Sequence, residues 1–297
     1  MLIFLLILSI LVVLGIFFSD KVLKIETRTI QDVLDVATEK KEFKQADYDK
    51  YIKEDILVES QYGYKIAGER ILSGMDKSDK VMLFSHGVAT NRKSSIKYGM
   101  FFLQLGWDVV IFDHRRHGDT LDGKFSGYGY YEKNDLNSVF NYIKRIYGAS
   151  CRVGIHGESM GSAIAIQQAG EYNNADFYIF DCPFSNLGKQ LRYRLRVEYQ
   201  LLGFIIIPLT NLFVKLRAGF SFKDVSPINF VDKIERPALF IHSRKDTYIK
   251  YNMCEELYHK KKGVKDLYIA EYGDHAESYT QNRDEYIKVV TSFLDQA

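Results

Sequence analysis

Gly157-Glu158-Ser159-Met160-Gly161 sets a serine between two glycines, after the apolar run 152–155 and before a helical pattern that reaches Gly170. A strand-turn-helix of this kind lifts the hydroxyl clear of its strand. A Cβ at either flanking glycine would clash in so tight a turn. A hydroxyl is a weak nucleophile and needs a base. Of seven histidines, His275 fits best, because it lies in the loop between the last apolar run and the last helix. His86, His114 and His117 precede the serine in sequence. His156 reads as a packed residue of the feeding strand, His242 as a support at a strand end, and His259 as surface. The base in turn needs an acid to hold its tautomer. Asp246, after the penultimate apolar run, is preferred to Asp274, which as the neighbour of His275 rarely reaches its Nδ1 well. Donors for a tetrahedral oxyanion would be the N–H groups of Met160 and Val88, with Gly87 letting that backbone come close. The chemistry is acyl transfer through a serine acyl-enzyme.

These groups need a scaffold. Short apolar runs at 56–58, 65–71, 81–84, 109–112, 152–155, 177–180, 238–241 and 266–269 read as strands. Helical patterns at 96–105, 136–146, 162–170 and 284–294 alternate with the later ones. That rhythm predicts an α/β fold with a mostly parallel central sheet and helices on both faces. In such sheets the site lies beyond the carboxyl ends of the strands, where Val88, Ser159, Asp246 and His275 all fall. Residues 186–236 lack a clear strand and read as a helical cap insertion. Their apolar run 201–209 is either a contact for an apolar substrate or the core of the cap itself. The cluster Arg192, Arg194 and Arg196 reads as a solvated cap face. Tyr128, Tyr130 and Tyr131 read either as pocket lining or as packing. Glu132 and Asp135 read as helix N-terminal caps, and Asn91 as a partner of the oxyanion-loop backbone.

The first eighteen residues carry no charged side chain. At 1.5 Å per residue they span about 27 Å, close to a bilayer core. No Lys or Arg precedes the run, and Phe17-Phe18-Ser19-Asp20 is a poor cleavage site, so a transmembrane anchor over 1–19 is preferred to a signal peptide. Lys21, Lys24 and Arg28 follow it, and the positive-inside bias then puts the large domain in the cytoplasm of a single-pass protein. Residues 20–54 are charged and helix-prone and read as a juxtamembrane stalk, leaving 55–297 as the main domain.

Composition narrows the partners. Forty Lys+Arg against 38 Asp+Glu give a formal charge of +2, without the basic excess that nucleic-acid binding needs. Cys151, Cys182 and Cys254 are too few and too scattered for a disulfide framework or zinc, and read as buried hydrophobes. No metal or cofactor is implied.

The residues at 85–91, 113–118, 157–161, 181–185, 241–247 and 274–278 together resemble the α/β-hydrolase superfamily, and within it bacterial membrane-anchored serine hydrolases with one N-terminal hydrophobic segment. The resemblance covers about residues 60–295. It implies the chain order Ser159, Asp246, His275, and makes Asp113, Arg115 and His117 braces of the site rim. One departure is the acid loop, Ser243-Arg244-Lys245-Asp246, where the family usually has a glycine. The expected activity is hydrolysis of an acyl ester, from a small-molecule or lipid-like substrate. A peptidase, amidase or thioesterase on the same triad is the alternative, and a non-catalytic membrane-anchored binding module is a third.

Overall fold

Successive side chains of the strand Lys80–Ser85 feed two separate cores. Val81 and Leu83 join one apolar cluster, and Met82 and Phe84 join the other. That double burial is what a near-continuous apolar strand requires. The computed structural model describes residues 1–74, 78–201 and 203–297. Within them, eight strands make one sheet: β1 (Ile52–Glu59), β2 (Lys65–Leu72), β3 (Lys80–Ser85), β4 (Asp108–Phe112), β5 (Arg152–Glu158), β6 (Phe177–Asp181), β7 (Ala238–Ser243) and β8 (Lys265–Ala270). Their spatial order is β1-β2-β4-β3-β5-β6-β7-β8. β1 and β2 pair antiparallel, as do β2 and β4, and the remaining pairs are parallel.

The helices are α1 (Leu2–Leu23), α2 (Ile30–Glu39), α3 (Gln45–Tyr48), α4 (Ile96–Gln104), α5 (Glu132–Tyr147), α6 (Met160–Tyr172), α7 (Leu187–Tyr199), α8 (Gly203–Ala218), α9 (Asn252–Lys260), α10 (Ser278–Gln281) and α11 (Arg283–Leu294). α5, α6 and α9 bury their apolar stripes on one face of the sheet. α4 and α11 cover the other. Each of the strand segments expected from sequence is present. β1 begins four residues earlier than its apolar run, because Lys53, Glu54 and Asp55 are exposed on an edge strand that pairs on one side only. The three cysteines are free and buried.

α7 and α8 fall within the insertion and form a third apolar cluster with Phe18, Val22 and Leu23 of α1. α1 is long and apolar enough to cross a membrane, and it runs on to Leu23, past its first charged residues, Asp20 and Lys21. A capping box starts α2: the Asp32 N–H donates to Thr29 Oγ1 at 3.1 Å and the Thr29 N–H to Asp32 Oδ2 at 3.0 Å. The segment joining α1 to α2 lies against the loop that follows β3. There the Arg28 N–H donates to Ala89 O at 3.1 Å, and Asn91 Nδ2 donates to Thr29 O at 3.0 Å. Asn91 thus ties down the chain after α1, while its Oδ1 accepts the Lys93 N–H. Glu132 accepts N–H groups from Gly127 and Gly129 at 2.6 and 2.9 Å. Asp135 accepts Ser60 Oγ–H at 2.6 Å and is also bonded by Tyr64. Both acids are buried in the first turn of α5. Sequence reading expected helix caps, but the N-cap position is Tyr131, Glu132 fastens the turn just before the helix, and Asp135 fastens the distant turn between β1 and β2.

Candidate active site

The turn from β5 into α6 holds Ser159 at φ +56° and ψ −117°, a conformation that a non-glycine residue adopts only when its surroundings enforce it. The enforcement is visible on both sides. A Cβ on Gly157 would lie 2.5 Å from Gly161 O, and one on Gly161 would lie 2.0 Å from Ser85 O. The glycines therefore let α6 start against β3. The Ser159 N–H donates to Asp181 O at 2.9 Å across the neighbouring strand.

His275 Nε2 is 2.8 Å from Ser159 Oγ, and His275 Nδ1 is 2.7 Å from Asp246 Oδ2. Asp246 is held on every side. Its Oδ1 accepts the N–H groups of Tyr248 and Ile249, each at 2.8 Å. His242 Nε2 stands 3.0 Å from Oδ2. Burial alone would raise this carboxyl's pKa. The hydrogen bonds from His242 and His275 outweigh burial and hold it well below the usual carboxylate range. Asp274 turns elsewhere: its Oδ1 accepts the Thr247 N–H at 2.7 Å and Thr247 Oγ1–H at 2.9 Å. The acid loop turns without the usual glycine. The Asp246 N–H reaches Ser243 O at 3.2 Å, and no residue from 243 to 246 needs a positive φ.

Met160 opens α6, so its N–H has no carbonyl one turn back within the helix. Gly87 runs beside the serine, where an added Cβ would be 3.5 Å from Ser159 Cβ. Gly87, Val88 and Ser159 line one cavity of about 530 Å³, together with Lys97, Tyr248 and His275. Asp113, Arg115 and His117 lie outside that lining. Asp113 accepts the Arg92 N–H at 2.7 Å and the Asp119 N–H at 2.9 Å, and Arg115 stacks over Tyr131 at 4.3 Å. They brace loops around the site.

Two features escaped the sequence reading. Glu158, one residue before the serine, forms a buried ion pair with Lys97 at 2.7 Å. Lys97 Nζ also donates to Ala276 O at 3.1 Å, so one side chain spans the serine turn and the histidine loop. Burial would raise the Glu158 pKa, and Lys97 reverses the direction and lowers it. The second feature is a layer in which the Tyr248 ring lies 4.9 Å from the His275 ring, tilted by 39°, and the Arg194 guanidinium lies 4.1 Å over Tyr248. Arg194 also donates to Glu198 at 2.6 and 2.9 Å. Arg192 and Arg196 are exposed, whereas Arg194 lines the cavity. The i, i+4 spacing of Arg194 and Glu198 was the available signal. His242, read from sequence as a support at a strand end, stands in that role, with its Nε2 3.0 Å from Asp246 Oδ2. Within the described residues, no group of three or more His, Cys, Asp or Glu side chains is arranged to hold a metal ion.

The serine aminopeptidase S33 family of hydrolases matches residues 76–218. The chain is 44% identical to the uncharacterized protein YqkD of Bacillus subtilis (strain 168), over 96% of this chain and 93% of that one. It is 26% identical to the lysophosphatidylserine lipase ABHD12 of Danio rerio, over 61% of this chain and 47% of that one. Among solved structures, the Pyrococcus furiosus esterase Pf2001 superposes with a TM-score of 0.69 at 24% identity, covering 86% of this chain and 96% of the esterase. A Pyrococcus horikoshii acylaminoacyl peptidase gives 0.65 at 17% identity, over 82% of this chain and 41% of that one.

Proposed function

Since the chain belongs to the α/β-hydrolase superfamily, we propose that it is a serine hydrolase that cleaves an acyl ester, with Ser159 as nucleophile, His275 as general base and acid, and Asp246 orienting the imidazole. The observation that carries the reading is the continuous relay from Ser159 Oγ through His275 to Asp246, with contacts of 2.8 and 2.7 Å. Ser159 Oγ attacks the carbonyl carbon while His275 Nε2 takes its proton. The charge that develops on the carbonyl oxygen is met by the Val88 and Met160 N–H groups. The tetrahedral intermediate collapses when His275 returns the proton to the leaving alcohol. Water then repeats the sequence on the acyl-enzyme and frees the acid. Asp246 stays ionised throughout, which its low pKa favours.

In this reading α1 anchors the enzyme, with its hydrolase domain on the cytoplasmic side, where Lys21, Lys24 and Arg28 lie. Residues 20–54 link the anchor to the domain at 55–297 while packing Ala37, Phe43 and Tyr48 into its core and opening β1 at Ile52, and the cap covers about 186–236. Ser159→Ala should abolish labelling by a fluorophosphonate probe, whereas labelling that survives this change would overturn the assignment. One observation favours a peptidase as the second reading. Glu42 lines the same cavity, burial raises its pKa, and its carboxylate could receive a substrate amine. Aminoacyl nitroanilides hydrolysed faster than nitrophenyl esters of similar size would select that reading.

A further inference from the structure

α1 does not stand free of the cap. Along one of its faces Leu11, Leu14, Gly15, Phe18, Ser19 and Val22 are half-buried or buried, at the three- and four-residue spacing of a helix–helix seam. Gly15 is the contact point: a Cβ there would lie 2.4 Å from the Phe213 ring of α8. Arg217 of α8 closes the lower end on Asp20 at 2.5 Å. Only residues 2–10 are exposed all round, and they rise about 14 Å, less than half of a hydrocarbon core of about 30 Å. A bilayer that takes the whole of α1 must therefore reach α8 as well. The outward side chains of α8 suit that position, because Phe204, Ile205, Leu212 and Leu216 are 51–72% exposed.

A cavity of about 200 Å³ opens between these helices, walled by Phe18 and Val22 of α1, Leu191 and Leu195 of α7, and Ile207 of α8. A narrower space of about 40 Å³ adjoins it and reaches Ser159 and Met160. Tyr128, Leu191, Arg194 and Tyr248 line both spaces, so the two are neighbours parted by these side chains. The larger cavity that also reaches Ser159 is bordered by Arg28, Lys40, Glu42, Lys97 and Glu158, whereas the cap cavity sets a mainly apolar wall beside Lys21, Arg194 and Glu198.

We propose that α1 is a wall of the substrate site as well as an anchor: the acyl tail of a membrane lipid ester lies between α1 and the cap and leads its carbonyl to Ser159. This rests on the serine-hydrolase reading above. The alcohol or head group then faces the charged cavity. Substrate reaches the serine sideways from the bilayer, and Phe18, Val22 and Leu191 set the preference for acyl length.

The test uses the full chain in phosphatidylcholine nanodiscs, comparing kcat/KM for nitrophenyl palmitate and nitrophenyl acetate. Val22→Trp and, from the opposite wall, Leu191→Trp fill the cavity. Each should lower the palmitate-to-acetate ratio about tenfold or more. Ser159 labelling by a short fluorophosphonate reports that a variant is folded. A labelled variant whose ratio equals the wild type's overturns the proposal, and Leu191→Trp decides if Val22→Trp fails to fold. Leu216→Trp should be quenched by brominated phosphatidylcholine, against a background from the buried Trp107, and an unquenched tryptophan also overturns it. Absence of Ser159 labelling in the wild type would instead remove the hydrolase reading, leaving the two failures distinct.

Discussion

His242 and His275 meet the same oxygen of Asp246, Oδ2, at 3.0 and 2.7 Å. His242 Nε2 is also 2.9 Å from Ile249 O. Two acceptors around one nitrogen require that nitrogen to carry the proton, which assigns the tautomer. His242 is buried, so its donated bond is not diluted by water, and it draws carboxylate charge away from the proposed base. His242→Phe removes the largest of the hydrogen bonds that hold the Asp246 carboxyl low, so that carboxyl should protonate at higher pH. The acidic limb of the pH–kcat/KM profile is expected to move to higher pH, with activity at neutral pH reduced by about tenfold. A profile that keeps its shape while only its height falls would show His242 to be packing.

Ser159 carries backbone strain as part of its position. A non-glycine residue at φ +56°, ψ −117° costs about 1–3 kcal/mol. Ser159→Gly should relieve that strain, while the freer unfolded chain takes back about 0.4–1 kcal/mol. A net gain of about 1 kcal/mol in unfolding free energy is expected, together with complete loss of ester hydrolysis. Ser159→Ala keeps a Cβ at the same φ and should gain nothing. Denaturant titration of the two variants side by side checks this, and a Ser159→Gly variant about 0.4–1 kcal/mol less stable than Ser159→Ala would mean that the turn is unstrained.

The serine, histidine and acid were legible because each follows an apolar strand and sits where a parallel sheet presents its loops. The strands themselves were legible because burial on both faces makes them continuous apolar runs. What escaped is long-range. Lys97 and Glu158 are 61 positions apart in sequence, and Lys97 looks like one more surface cation on α4 until the fold buries it. Arg194 reads like Arg192 and Arg196, yet it alone turns over Tyr248, because α7 presents alternate residues to different sides. The α1–α8 seam escaped because an all-apolar helix has no periodicity to reveal which face is used. Gly15 was the one residue that marked it.

The Lys97–Glu158 pair should behave as a buried ion pair does. Removing one partner strands the other charge, at a cost of about 3–5 kcal/mol. Lys97→Met is expected to destabilise by that amount, and Lys97→Met with Glu158→Gln to recover most of it. Glu158 has its pKa lowered in the folded state, so its contribution is present above the unfolded carboxylate range and is lost as pH falls through the lower folded value. Lys97 is raised, so its contribution is lost only as pH rises through its folded value, above the ordinary lysine range. The pair therefore acts in full at neutral pH. A double-mutant cycle by urea denaturation at pH 7 measures it, and strictly additive effects would exclude the coupling.

Asp181 gives the opposite sign. It lies at the end of β6, wholly buried, and burial pushes its pKa up to about 6, although hydrogen bonds from Ser278 at 2.7 and 2.9 Å pull the other way. A carboxyl raised on folding binds its proton more tightly in the native state. Its contribution therefore favours folding at low pH and is lost as pH rises from the unfolded value near 3.8 through about 6. A shift of that size is worth about 3 kcal/mol at most. Asp181→Asn keeps the shape and removes the titration. It still accepts from Ser278, while its amide must find an acceptor among Glu158 and the phenol oxygens of Tyr98 and Tyr286. The stability of this variant relative to the wild type should rise between pH 4 and pH 7 by about 2–3 kcal/mol. Urea unfolding of both proteins across that range measures the difference, and a gap that does not change with pH would mean that Asp181 is ionised as readily in the folded chain as in the unfolded one.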